Sequence, residues 1–245
     1  MHLRIVHLYP DLLNLYGDRG NLITLQKRCQ WRGIGCTVTP VSLNQPFQAG
    51  DCDLVFLGGG QDYEQNLLHR DLLEQKGPAI RAAVDDGLVF LCICGGYQLM
   101  GRYYEEQDGR RIDCLGAIDV WTVGQSRRMI GDTRYHSAFL ADRGLDPLLV
   151  GFENHSGRTR LGPGVRPLAT VIKGGGNNGE DKTEGAIYKN VYCTYSHGSF
   201  LPKNPDMADY LIETALKRRF SEFRQLDPLD RTLEDNARNY LLSCK

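Results

Sequence analysis

Cys94 stands in the run Leu88-Val89-Phe90-Leu91-Cys92-Ile93-Cys94-Gly95-Gly96-Tyr97-Gln98, where an apolar segment meets a thiol and then two glycines. A cysteine is commonly just a small buried hydrophobe. Here, however, residues 88–93 are almost wholly apolar and have the length of a strand buried on both faces, as in a parallel sheet. A thiol at the carboxyl end of such a strand, followed by glycines that allow a tight turn, is held outward with the amides of the next helix directed at it. That setting favours thiolate. The segment therefore reads as a nucleophile elbow.

A cysteine nucleophile needs a base, and histidine titrates in the useful range. The chain offers His2, His7, His69, His136, His155 and His197. His197 follows Tyr195-Ser196 at the end of the last predicted strand, so it is the one expected at the same sheet edge as Cys94. Many such pairs add a carboxylate that orients the imidazole. After His197 come Gly198-Ser199-Phe200, with no acid two positions on. A distant residue, a partner, or no residue at all could fill that place. Gly58-Gly59-Gly60 offers backbone amides unobstructed by side chains, which makes Gly60, with Gly95, the expected oxyanion donors. The reaction class is acyl transfer through a thioester and a tetrahedral oxyanion.

The elements that must position these residues follow from periodicity. Leu3 to Leu8 reads as a first strand, Tyr9 to Asn21 as a loop, and the next helix carries Leu22, Leu25 and Cys29 before Gly33 ends it. Cys36 to Val41, Asp53 to Leu57 and Leu88 to Ile93 give three more strands. Pro78 and Gly87 frame a helix with Ile80, Ala83 and Val84 inward, and another helix runs from about Tyr97. This is an α/β chain with an open, mostly parallel sheet flanked by helices, and ligands bind beyond the carboxyl ends of its strands. From 110 to 196 the pattern becomes β-rich, ending in a strand from Ile187 to Tyr195. Gly174-Gly175-Gly176-Asn177-Asn178-Gly179 lacks the lysine and hydroxyl of a phosphate loop and reads as a plain loop. Two helices close the chain, about Met207 to Phe220 and Leu233 to Leu242, within a single expected domain over 1–245. The stripe Leu233, Ala237, Tyr240 and Leu241 is expected to pack against the body, the alternative being a face for a partner.

Composition narrows the function. The 29 basic and 30 acidic residues nearly cancel, so no global field argues for nucleic acid or an anionic membrane. No apolar signal core follows Met1 and no run of 18 apolar residues occurs, so a cytoplasmic protein is expected. Eight scattered cysteines suit reduced thiols, not a disulfide scaffold, and none has zinc-ligand spacing; no metal site is expected. Cys92, two residues before Cys94, reads as a core residue rather than a resolving thiol.

Cys94-Gly95-Gly96-Tyr97-Gln98, the Gly58-Gly59-Gly60 turn, Gly151-Phe152-Glu153-Asn154-His155 and Tyr195-Ser196-His197-Gly198 together resemble the cobyric-acid-synthase-type class I glutamine amidotransferases. The likeness covers nearly the whole chain, including Asn14-Leu15-Tyr16-Gly17-Asp18 and Leu201-Pro202-Lys203-Asn204, and is nearest to glutaminase subunits of lipid II isoglutaminyl synthases. It implies that Cys94 attacks the side-chain amide of L-glutamine and that His197 acts as acid and base. It implies that Arg128, in Arg128-Met129-Ile130-Gly131-Asp132, binds substrate, and it places Gln98 in the same role. A guanidinium suits an α-carboxylate.

The resemblance further implies a heterodimer with a Mur-ligase-like (MurT-type) synthetase subunit that amidates the D-glutamate of lipid II in peptidoglycan synthesis. ATP and Mg are expected in that subunit and no cofactor in this chain. The expected location is cytoplasmic, at the inner face of the membrane through the lipid-linked substrate. Two departures stand out. The first glycine of the general Gly-x-Cys-x-Gly-x-Gln pattern is Cys92 here, and the general His-x-Glu reads His197-Gly198-Ser199. The second suggests that an acid from the synthetase subunit completes the site. Glu153 and His155 divide between structural support and partner contact. The alternatives are an amidotransferase of cobalamin synthesis, which would be expected to carry an ATP-binding domain in the same chain, a non-catalytic binding module on this fold, and a cysteine peptidase.

Overall fold

The computed structural model describes residues 1–14, 18–60, 68 and 70–243. His69, and Leu15 to Gly17 of the amino-terminal motif, lie outside the described residues. In chain order the elements are β1 (His2–Leu8), α1 (Arg19–Gln30), β2 (Gly35–Val41), β3 (Leu54–Leu57), α2 (Gly77–Asp85), β4 (Val89–Ile93), α3 (Gly95–Met100), β5 (Tyr103–Glu105), β6 (Arg111–Asp113), β7 (Val120–His136), α4 (Ala138–Ala141), β8 (Leu148–Leu161), β9 (Ala169–Lys173), β10 (Thr183–Glu184), β11 (Ala186–Tyr188), β12 (Val191–Thr194), α5 (Phe200–Lys203), α6 (Pro205–Arg219) and α7 (Thr232–Ser243).

The first sheet has the order β11-β12-β4-β3-β1-β2. Its strands pair in parallel except for the edge strand β11, which runs antiparallel to β12. β3, β4 and β12 are buried along their whole length, as their continuous apolar runs require when helices cover both faces. The mostly parallel sheet and flanking helices are as the sequence implies. The expected single strand over 187–195 is instead a tight hairpin. Lys189, at φ 50°, turns the chain between β11 and β12.

The β-rich portion forms a second sheet, β10-β9-β7-β5-β6, with β8 also paired to β7. The long β7–β8 ribbon is interrupted. Gly124 pairs with Gly157 and the next pair is Met129 with His155, so residues 125–128 bulge out on β7.

The carboxyl-terminal helices differ from each other. α6 buries Met207, Ala208, Leu211, Ile212, Ala215 and Leu216. On α7 the expectation fails, because Leu233 is 85% exposed, Tyr240 71% and Leu241 36%. The helix docks through its polar face. Arg238 reaches Asp146 and the carbonyl of Leu148, Arg231 pairs with Asp206, and Glu234 meets the buried Arg28. Charged partners on the body decided its orientation, and the apolar stripe turned outward with it.

Candidate active site

At the carboxyl edge of the first sheet, β4 ends and Cys94 takes φ 49° and ψ −103°. A non-glycine residue there stores about 1–3 kcal/mol of backbone strain, sustained only where the surroundings over-determine it. They do so here. The Cys94 amide donates to the carbonyl of Thr194 at 2.9 Å, and the Gly96 amide donates to the carbonyl of Gly58 at 3.1 Å. A side chain at position 96 would come within 2.7 Å of the Leu57 carbonyl oxygen. Two adjacent strands and a glycine thus fix the turn. Cys92, by contrast, is wholly buried in register with Cys193 on β12, and is a core residue.

His197 follows β12 and bridges to β8, its amide donating to the carbonyl of Phe152 at 2.7 Å. Its imidazole is fully buried beside Cys94 and Asp18, with Nδ1 3.5 Å from Asp18 Oδ2, an ion-pair separation. Burial opposes charge on this ring, yet the negative charges of Cys94 and Asp18 prevail and raise its pKa to about 10. The ring is therefore held as an imidazolium at neutral pH, beside Cys94.

The acid beside the ring belongs to this chain. Asp18 is buried at the start of α1, and its Oδ2 also accepts the Gly59 amide at 2.8 Å. The usable signal was topological, since the connection after β1 opens at the same sheet edge as Gly58 and Cys94. Gly59 must be glycine, because a Cβ there would stand 2.8 Å from His197 Cε1 and 3.0 Å from Asp18 Oδ2.

The remaining candidates sort by sheet. Gly60 and Gly95 flank the two committed amides, those of Gly59 and Gly96. Gln98 is buried and its Nε2 donates to the Tyr195 hydroxyl at 3.2 Å. Arg128 sits on the β7 bulge. Its Nε donates to Asn154 Oδ1 and its Nη2 to the Asn154 carbonyl, both at 2.9 Å. Glu153 accepts the amides of Gly175 at 2.7 Å and Gly176 at 3.0 Å. The glycine loop thus has its anion already, a carboxylate of its own chain. Burial raises the Glu153 pKa despite those amides. Sequence reasoning gave Asp18, Asn154 and Tyr195 no individual role. Among the described residues no group of three or more metal-ligating side chains occurs, and no helix is long and apolar enough to cross a membrane.

Residues 4–205 match the CobB/CobQ-like glutamine amidotransferase domain. The chain belongs to that family. It is 42% identical over 225 residues to the GatD subunit of the glutamine-hydrolysing lipid II isoglutaminyl synthase of Streptococcus pneumoniae, covering 91% of this chain and 84% of that protein. The GatD subunit of Staphylococcus aureus is 40% identical over 99% of this chain and 96% of its own length. A cobyric acid synthase of Pelotomaculum thermopropionicum is 33% identical, but over 62% of this chain and only 30% of that protein. Among solved structures, PurLQS from Thermotoga maritima superposes with a TM-score of 0.57 at 16% identity, covering 91% of this amidotransferase and 100% of that chain. At that identity the likeness speaks for the fold alone.

Proposed function

We propose that this amidotransferase is the glutaminase subunit of a lipid II isoglutaminyl synthase, hydrolysing L-glutamine to glutamate and ammonia. The observation that carries the chemistry is the Cys94–His197–Asp18 constellation built on a strained turn. The Cys94 thiolate adds to the side-chain amide carbon, and the carbonyl electron pair moves to oxygen, toward the amides of Gly60 and Gly95. The carbon–nitrogen bond then breaks as His197 gives its proton to the departing nitrogen. His197 next takes a proton from water, which attacks the thioester and frees Cys94. Asp18 fixes the ring and stabilises its charged form through both steps.

Arg128, its guanidinium plane held by two bonds to Asn154, binds the α-carboxylate of glutamine. Gln98 acts behind the site by supporting Tyr195. The acceptor follows from likeness rather than from geometry. Two GatD subunits match nearly the whole chain, whereas the cobyric acid synthase match spans under a third of that protein. Ammonia would pass to a Mur-ligase-like, MurT-type subunit that uses ATP and Mg to amidate the D-glutamate of lipid II, in the cytoplasm at the inner face of the membrane.

The test is to co-express the chain with that ligase subunit, then measure ammonia release from glutamine and amidation of lipid II by mass spectrometry. Cys94→Ala is expected to abolish glutamine-dependent amidation while free ammonia still supports it. Ammonia release by Cys94→Ala at the wild-type rate would sink the mechanism. Amidation of a corrin acid in place of lipid II would move the chain to the cobalamin branch.

A further inference from the structure

The mechanism above gives no task to His155, whose surroundings are as specific as those of the base. On β8 its register partner is Met129, next to Arg128, and its preceding residue Asn154 holds the Arg128 guanidinium. Its ring lies flat on Tyr195, with centroids 3.6 Å apart and planes within 7°. Tyr195 is in turn bonded to Gln98, one helical turn beyond Cys94, and feels the charge of Cys94. His155 itself lies near enough to feel the charges of both His197 and Arg128. It therefore stands between the two ends of the site, the thiol that meets the amide and the guanidinium that meets the α-carboxylate.

Its hydrogen-bonding capacity is defined. Nδ1 lies 2.9 Å from the carbonyl of Gly157, which can only accept, so Nδ1 carries the proton and Nε2 is an acceptor. Burial drives the pKa of this ring down to about 3, with the positive groups Arg158, His197 and Arg128 opposing protonation. Nε2 is buried and has no partner among the described residues. Stacking on Tyr195 covers a face of the ring and leaves its edge, where the Nε2 lone pair lies. Nε2 is no more buried than the base, since His197 is fully buried as well. A buried acceptor without a donor costs free energy unless a ligand supplies one.

We infer that His155 is a substrate-binding residue whose Nε2 accepts a hydrogen bond from the α-ammonium of glutamine. The ammonium shares a carbon with the carboxylate assigned to Arg128, and His155 lies beside that arginine. A neutral imidazole with its proton fixed on Nδ1 accepts from a cation without becoming a second positive charge. The pair of contacts makes the site read an α-amino acid and not merely a primary amide. This rests on the glutaminase reading.

The experiment uses the chain with its synthetase subunit, in a Cys94→Ala background for binding and with Cys94 intact for turnover. His155→Phe keeps an aromatic ring against Tyr195 and deletes the acceptor, and His155→Gln restores an acceptor near the Nε2 position. Glutamine is compared with 4-carbamoylbutanoate, which lacks the α-amino group. His155→Phe is expected to weaken glutamine binding and raise its KM by about 10- to 100-fold, the effect of losing a hydrogen bond to a charged group. It should change kcat little and leave 4-carbamoylbutanoate unaffected, and His155→Gln should recover most of the loss. Equal losses on both ligands, or no loss on glutamine, would overturn the inference. If the Cys94→Ala complex binds no glutamine at all, the glutaminase reading falls and takes the inference with it.

Discussion

Two buried imidazoles on the two sheets of this amidotransferase carry opposite protonation. His197, at the edge of the parallel sheet, is a cation with its pKa raised to about 10, while His155, on the antiparallel ribbon, is neutral with its pKa lowered to about 3. Burial works against charge in both. The difference is the company: His197 faces Cys94 and Asp18, whereas His155 faces Arg158, Arg128 and His197 itself. One sheet thereby holds a charged ring and the other a neutral one, which matches the proposed division between proton transfer and substrate recognition.

That division can be broken most severely at Asp18. Asp18→Asn is expected to lower kcat for glutamine hydrolysis by about a hundred- to ten-thousandfold, because the ring loses the group that orients it and stabilises its charge. In the wild type, the imidazolium's contribution to stability is complete below pH 6.5 and is lost as pH rises through about 10. The alkaline limb of thiol alkylation by iodoacetamide should lie there. In Asp18→Asn that limb should move to lower pH, since a raising charge is gone; an unmoved limb would contradict the assignment.

A smaller effect is expected on the recognition side. Glu153→Gln leaves one of the two glycine-loop amides without its carboxylate oxygen, and that loop packs against Met129 beside Arg128. KM for glutamine should rise by about tenfold with kcat nearly unchanged, on the scale of one charge-assisted bond. A fall in kcat with constant KM would place Glu153 with the proton-handling groups instead. The smallest effect concerns stability in acid. His155 unfolded takes up a proton near pH 6.5 but folded only near pH 3, so it costs stability progressively as pH falls between those values. Acid unfolding followed by circular dichroism should therefore be shallower for His155→Phe. His7, lowered by burial to about 4, acts in the same direction and remains in the variant.

The centre of the parallel sheet was legible because β3 and β4 are short apolar runs with glycine close behind them, a pattern set within a few neighbouring residues. Cys94 was legible for the same reason, its strand and glycines being contiguous. His197 followed from its place after the last strand. The hairpin at Lys189 was missed because nothing in Ile187 to Tyr195 forces a break; the lysine takes φ 50° only because β12 must lie beside β4. The stripe on α7 was misread because periodicity reports a face and not what lies opposite it. Arg28, Asp146 and Asp206 claimed the charged face.

The α/β class, the thiol on its turn and the base at the sheet edge are legible along the chain, because strand burial and turn formation are short-range properties of neighbouring residues. The approach of Asp18 to His197, the bond from Gln98 to Tyr195 and the place of His155 beside Arg128 emerge only on folding. Each of those depends on which strand ends share a sheet edge and which residues pair across a bulged ribbon. Those relations arise between segments distant in the chain, through packing and buried charge, and spacing along the sequence does not encode them.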